Sequence, residues 1–543
     1  MSLAFAAADP TPLYVIAGYL LLLVALGFVT RALFRGTSSD YFVATRSIGP
    51  FLLLMSVFGT TMTAFALVGS TGKAYDLGIG VYGLMASSSA VVHSLVFFLI
   101  GVKLWAIGKR YGYVTQVQFF RDRFESGFLG SLLFPILVAL VIPYLLIGLL
   151  GAGAVMAGVT RGMFPGTFDG GAVPPWLTGL VICGVVLFYI FSAGLRGAAW
   201  ANAFQTVVFM VTGVLAFWLI AGELGGFAAA SEQVLANAPA HLGREGLIGH
   251  GQFLTYGLVP LSVGMFPHLF QHWLTARSAR TFRLSIIAHP IFIMIVWVPC
   301  ILIGIWAVGA GIEAPGGNSN AVLGKAVAVL LGNPLLSGLL TAGILAAIMS
   351  SLDSQFVCLG TMFTHDVVLH RTGPDRFDDA TKIALGRGFI VFVVCVTYLL
   401  SLFPPPHIFD LAVWCFSGFA SLFPLVFAAL YWRRATRAGA IASVVVMAAT
   451  WSVLFYDGLI RPHEGEGDYL VWGMMPVTFI FLASAATLVV VSLLTAPPSR
   501  ATVDRFVFRG SCRSRPSSSL SPRSVPWPPP TSSLGSQQET MER

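Results

Sequence analysis

The densest group of chemistry-capable side chains in the chain lies in the stretch 345–366, L-A-A-I-M-S-S-L-D-S-Q-F-V-C-L-G-T-M-F-T-H-D. It begins as an apolar helix and then sets Ser350, Ser351, Asp353, Ser354 and Gln355 within two turns. Taking a carboxylate and several hydroxyls out of water is costly unless each finds a partner. A single serine in such a helix ordinarily packs against a neighbouring helix, but a serine cluster around a carboxylate points to function. Hydroxyl and carboxylate oxygens are the ligands that hard cations take.

Two other stretches look built to expose backbone to the same region. The first reads G-P-F-L-L-L-M-S-V-F-G-T-T-M-T-A-F-A-L-V-G-S-T-G-K-A-Y, with Gly59 before Thr60, Thr61 and Thr63, and Gly69 and Gly72 beyond. Glycine and β-branched polar residues in mid-helix favour unwinding. The second reads Y-G-L-V-P-L-S-V-G-M-F-P-H-L-F-Q-H-W-L, where Pro260 and Pro267 each remove a helix hydrogen bond and Gly264 sits between them. One proline or glycine alone would be an ordinary kink. Matched breaks five spans apart are the pattern of an inverted-repeat transporter, in which unwound carbonyls hold a cation and half-helix N-termini attract an anionic group.

The elements that position these residues follow from composition. The chain of 543 residues is 56% hydrophobic and 10% charged, with a mean hydropathy of +0.83, whereas soluble domains carry about 25% charged residues. It is therefore expected to be an all-α polytopic membrane protein, since an open sheet edge cannot sit in lipid and no barrel-like alternation is visible. With about 20 apolar residues per span, about thirteen helices are expected near 13–34, 49–75, 78–107, 129–159, 175–193, 197–221, 251–275, 284–310, 334–364, 380–402, 406–432, 437–456 and 469–495. No cleavable leader is expected, because 1–11 is short and acidic and the first apolar run is long enough to span. Basic residues follow the odd-numbered spans (Arg31, Arg35 and Arg46; Lys109 and Arg110; Arg277, Arg280 and Arg283; Arg433, Arg434 and Arg437) and are sparse after the even ones. This alternation puts the N-terminus outside and the C-terminus in the cytoplasm of a cell membrane, expected to be a bacterial inner membrane. The net charge of +8 is spread over loops rather than gathered in a patch, so no nucleic-acid partner is expected. The segment 115–124, with Phe119, Phe120 and Arg123, suggests an amphipathic turn on the cytoplasmic surface, and 228–238 a weak helix in an outer loop. From about residue 499 the composition turns to Ser, Pro and Arg and is expected to be disordered. The six cysteines show no metal or redox spacing.

Taken together, D-Y-F-V-A-T-R-S-I-G-P (40–50), G-S-T-G-K-A-Y, G-L-R-G-A-A-W-A-N-A-F-Q (194–205), F-P-H-L-F-Q (266–271) and A-A-I-M-S-S-L-D-S-Q (346–355) resemble the sodium:solute symporter family. The resemblance runs from about 13 to about 495. It implies a LeuT-type five-plus-five inverted repeat: an outer N-terminus (1–12), a first helix (13–34), repeats at 49–221 and 251–432, two further helices (437–495) and a tail (499–543). Carried over position by position, sodium, the coupling ion, would be held by carbonyls of Gly59, Met62 and Ala347 and the hydroxyls of Ser350 and Ser351. Neutral oxygens suit a hard ion that must be released.

One departure stands out. Many relatives carry an acid in a W-T-D-x-x-Q pattern that here reads W-A-N-A-F-Q, with Asn202 in place of the acid; Asp353 lies in the other helix of that second cation site. The carboxylate is expected to have moved across the helix interface, with Asp353 facing Asn202 beside Ser354, at a site for sodium or a proton. A purely capping Asp353 is the alternative. The lining of the solute site is expected from Thr60, Thr61, Thr63, Phe65, His93, Ser262, Phe266 and His268. The stretch T-M-T-A-F-A (61–66) is poor in the hydrogen-bonding groups a hexose needs, so a small carboxylate-bearing solute is favoured.

The expected function is sodium-coupled symport by alternating access, with solute, sodium and lipid bilayer as partners. A proton-coupled symporter of the same fold, or a transporter-like sensor, is the alternative. An enzyme is not expected: there is no H-E-x-x-H and no G-x-S-x-G with partners, and His365 and Asp366 fall at a cytoplasmic helix end where polar residues cost little.

Overall fold

The computed structural model describes residues 9–403, 408–461 and 468–507. Apart from two isolated bridges, helix is the only regular structure among them. That is what lipid demands, because a helix satisfies its own backbone. Ten helices are long and apolar enough to cross a membrane, and two bent pairs raise the number to twelve. The helix Pro175–Glu223 is 49 residues long, more than twice a bilayer's requirement. It is interrupted at Gly194 (φ 56°, ψ −137°), which divides it into two and yields the thirteen expected spans.

In order these are Thr11–Leu33; Pro50–Thr61 with Phe65–Leu77, bent by 60°; Gly80–Tyr111; Gly127–Val159; the two halves of Pro175–Glu223; and His250–Gly264 with Pro267–Thr275, bent by 48°. Ala279–Gly309, Pro334–Thr372, Asp379–Ser401, Ile408–Tyr431, Arg437–Ile460 and Pro476–Leu494 follow. Both broken spans, the second and the seventh, fall where sequence placed them. The ninth and eleventh spans are 83% buried in their most apolar windows, the first and twelfth only 28%. The serine-rich ninth span therefore runs through the centre of the bundle, and the first and twelfth spans lie at its periphery.

Three regions differ from expectation. The segment 115–124 is a true helix, Gln116–Arg123, opened by a capping box between Thr115 and Gln118. It does not lie on a membrane surface: Phe119, Phe120 and Arg123 are buried, and Arg123 donates to the carbonyls of Ala429 (2.8 Å) and Trp432 (3.3 Å). Secondly, Asp366 is not a solvated helix end. It is buried, accepts from Thr115 Oγ1 at 2.9 Å and lies 3.9 Å from Arg121, which ties this short helix to the ninth span. Thirdly, the chain from 499 does not start without structure. Arg500–Phe506 is a helix, its Phe506 ring 6.0 Å from Phe119 and 5.7 Å from Tyr111. Residues 508–543 lie outside the described residues.

The turn at Gly194 joins the fifth and sixth spans without a loop. A Cβ at that position would meet the Tyr41 carbonyl at 2.5 Å, and positive φ penalises any side chain. Two residues on, Arg196 holds the buried Asp40 carboxylate at 2.9 and 2.6 Å. Gly194→Val is expected to destabilise the protein by about 3 kcal/mol, read as a fall in melting temperature in detergent. Gly18→Ala, where a Cβ meets nothing within 4 Å, should leave it unchanged; equal behaviour of the two would contradict the turn's role.

Candidate functional site

The first part of the site is the break in the second span. The helix Pro50–Thr61 ends as Met62 turns to extended backbone (φ −89°, ψ 103°), its N–H still bonded to the carbonyls of Phe58 and Gly59. Thr63 caps the next half, its Oγ1 accepting from Phe65 N at 3.1 Å. Glycine at 59 allows the sixth span to come close: a Cβ there would be 2.5 Å from Thr206 Oγ1, which itself donates to the Met55 carbonyl at 3.0 Å. This contact presses the break toward the ninth span. There, Ser350 Oγ lies 2.7 Å from the Gly59 carbonyl and 2.8 Å from that of Ala347. Two of the carbonyls expected to hold sodium thus lie within hydrogen-bond distance of the Ser350 hydroxyl, a third expected ligand. Ser351 is buried beside them, its Oγ 3.5 Å from Gln355 Nε2. Met62 is placed at the end of the broken half-helix.

A second polar group lies one turn along the ninth span. Asp353 is fully buried and accepts from Tyr189 OH at 3.1 Å. Asn202 turns its amide nitrogen to the carboxylate, at 3.1 and 3.0 Å from the two oxygens and 2.9 Å from the Ser350 carbonyl, while its oxygen accepts from Ser354 Oγ at 2.8 Å. The opposite amide orientation would set oxygen against oxygen. Asp353 therefore faces Asn202. The Asn202 amide also joins this group to the Ser350 backbone.

His272, on the seventh span, completes the network and was not singled out from sequence. Its ring bridges Ser354 Oγ (2.9 Å) and Ser56 Oγ (2.8 Å). Both broken helices are thereby linked to the ninth span through one imidazole. The available signal was an ionisable residue inside an apolar helix, the same signal that marked Asp353. Tyr189 was also missed, because nothing local separates it from a packing tyrosine.

The expected lining residues divide. Phe65 and Phe266 lie at the two breaks and both pack on Phe416, with ring centroids 5.1 and 5.6 Å away. Tyr144 joins them at 5.0 Å from Phe416 and 5.3 Å from Phe266. His268 stacks on Phe266 at 5.2 Å, with neither ring nitrogen partnered, and Thr60 Oγ1 is likewise buried without a partner. Ser262 is buried in the short helix before the second break. Thr61 turns its hydroxyl back to the Phe58 carbonyl at 2.8 Å. His93 is elsewhere: its Nδ1 is 3.2 Å from His289 Nε2, in a cluster with Phe58 and Phe97 rather than Phe65.

Two broken spans meeting a polar central helix inside an all-helical bundle define a LeuT-type carrier. A Na+-coupled sialic acid symporter in a substrate-bound outward-open state superposes with a TM-score of 0.69 at 17% identity, over 90% of this chain and 98% of that one. The nucleobase-cation-symport-1 transporter Mhp1 gives 0.54 at 14% identity, over 86% and 97%. In sequence, a sodium/proline symporter of Staphylococcus aureus (strain bovine RF122 / ET3-1) is 26% identical over 499 residues, covering 89% of this chain and 92% of the relative. The model of the sodium:solute symporter family matches residues 41–446. The chain belongs to that family, one of transporters rather than enzymes.

The Asp353–Asn202 pairing generates a charge test. Asn202→Asp sets two carboxylates about 3 Å apart in a buried site, and two like charges so placed cannot both remain ionised. It is expected to lower the melting temperature in detergent, and the exchange Asn202→Asp with Asp353→Asn should recover most of the loss. An exchange variant as unstable as the single one would show that the two residues are not interchangeable partners.

Proposed function

We propose that this chain carries a small carboxylate-bearing solute together with sodium, by rocking of one five-helix repeat (49–221) against the other (251–432). The observation that carries the reading is Ser350 Oγ set between the carbonyls of Gly59 and Ala347. These oxygens, with the Met62 carbonyl and the Ser351 hydroxyl, are the donor set a hard monovalent ion takes, and they span the break on which rocking must act. Asp353, Asn202 and Ser354 form the second cation or proton site, carrying one negative charge. The odd-numbered exits face the cytoplasm, which places the N-terminus outside.

The solute class rests on the pocket between the breaks. Half-helices begin at Phe65 and at Pro267, both beside the Phe416 ring. Their N-termini are the positive ends of two helix dipoles, suited to a carboxylate. Thr60 and His268 offer unpartnered polar atoms, while Phe65, Tyr144, Phe266 and Phe416 provide apolar walls. This is little hydrogen-bonding capacity for a hexose and a fair match for a compact solute with one charged end.

The deciding measurement is thermal stability in detergent, with sodium titrated against choline at constant ionic strength. Wild type should show a saturable rise, since ligand at ten times its Kd stabilises by about 1.4 kcal/mol, and Ser351→Ala should lose it. Wild type indifferent to sodium, together with solute uptake driven by a pH gradient, would overturn the sodium assignment in favour of proton coupling. In proteoliposomes, Asp353→Asn should change the ion dependence of uptake; unchanged ion and pH dependence would reduce Asp353 to a helix cap.

A further inference from the structure

Lys73 lies on the second half of the second span, at the end of the bundle away from the basic exits. A lysine there is free to reach water, as its long stem allows, yet its side chain is only 12% exposed. Its ammonium is paired with Asp468 and lies 3.5 Å from Asp410. Asp468 also accepts from Gln252 Nε2 at 2.6 Å. Asp410 stands in the first turn of the eleventh span, Gln252 in the first helix of the seventh, and Asp468 in the segment leading to the thirteenth. One cation thus gathers four elements, both broken spans among them.

What lies beneath this cluster gives it meaning. The ammonium sits 4.9 Å from the Phe409 ring. That ring is 5.1 Å from Phe65, which packs on Phe416 in the proposed solute pocket. Phe409 therefore separates the ion-pair cluster from the pocket. Reaching the pocket from this end requires the half-helix Phe65–Leu77 to part from the eleventh span, and Lys73 adds a charged tie to the ring contacts of Phe65 that join them.

We propose that Lys73 is a gating residue for transport: paired with Asp410 and Asp468 it closes this end of the carrier over the solute pocket, and its release opens it. The inference rests on the carrier reading above. Without the cation, two carboxylates that now share one ammonium would face each other, so loss of Lys73 both removes the tie and adds repulsion. Asp468 lies outside the two repeats, so the lock draws the peripheral thirteenth span into the gate.

Ser319 supplies a reporter. It is 6% exposed, in the loop that packs on Gly72, where a Cβ would be 2.8 Å from the Ser319 carbonyl. In Ser319→Cys protein in detergent, the rate at which a water-soluble maleimide modifies Cys at 319 is followed by peptide mass spectrometry, with buried Cys358 as the internal control. Lys73→Gln and Asp468→Asn are each expected to raise that rate about fivefold or more with Cys358 still protected. The exchange Lys73→Asp with Asp468→Lys should return it to the parent value. Unchanged rates in both single variants, or failure of the exchange to restore the parent rate, would overturn the proposal. So would equal acceleration at Cys358, which would make the cluster a prop of the fold. The assay needs neither solute nor sodium, so it stands or falls separately from the transport tests.

Discussion

Lipid leaves an unwound backbone no water to bond with, and that constraint shapes the centre of this molecule. Breaking the second span at Met62 releases carbonyls in a place where each must be met by protein or by a bound ion. Ser350 meets the Gly59 carbonyl, Thr63 recaps the chain, and Gly59 lets the sixth span press the break home. The ninth span has to be polar along one side because two broken helices lean on it. It has to be buried because those polar groups would not survive against lipid. The bulk of the bundle then follows as insulation around a short stretch of irregular chain.

The polar network also explains why one carboxylate suffices. Asp353 accepts from Tyr189 and from the Asn202 amide, and Ser354 lies within reach of the carboxylate as well. A second acid at 202 would turn donors into repulsion unless a cation or a proton joined it. The same amide reaches the Ser350 carbonyl, so a hydrogen bond joins the two candidate ion sites. Were both to bind ions, any coupling carried by that bond would be reciprocal.

Sequence carried the spans well because hydrophobic length is a local property. It carried the breaks because proline and glycine act on their own backbone, and it carried Asp353 because an acid in an apolar helix is conspicuous by itself. His272 was harder to see: its role is defined by Ser56 and Ser354, each on another helix. The misreading of 115–124 has the same origin. Its capping box was local and legible, but whether Phe119 faces lipid or protein depends on Phe506, nearly four hundred residues away. His93 could from sequence face either the pocket or a neighbouring helix, and its contact with His289 on the eighth span follows the second reading.

The turn at Gly194 has a mechanical meaning. The fifth and sixth spans are joined with no spare residue, so the connection has no slack. The two spans meet at a single residue, and Asp40 holds that junction through Arg196. The sixth span carries both Asn202, which reaches Asp353, and Thr206, which lies against Gly59 at the break. The junction thereby fixes where the fifth span stands relative to the polar centre.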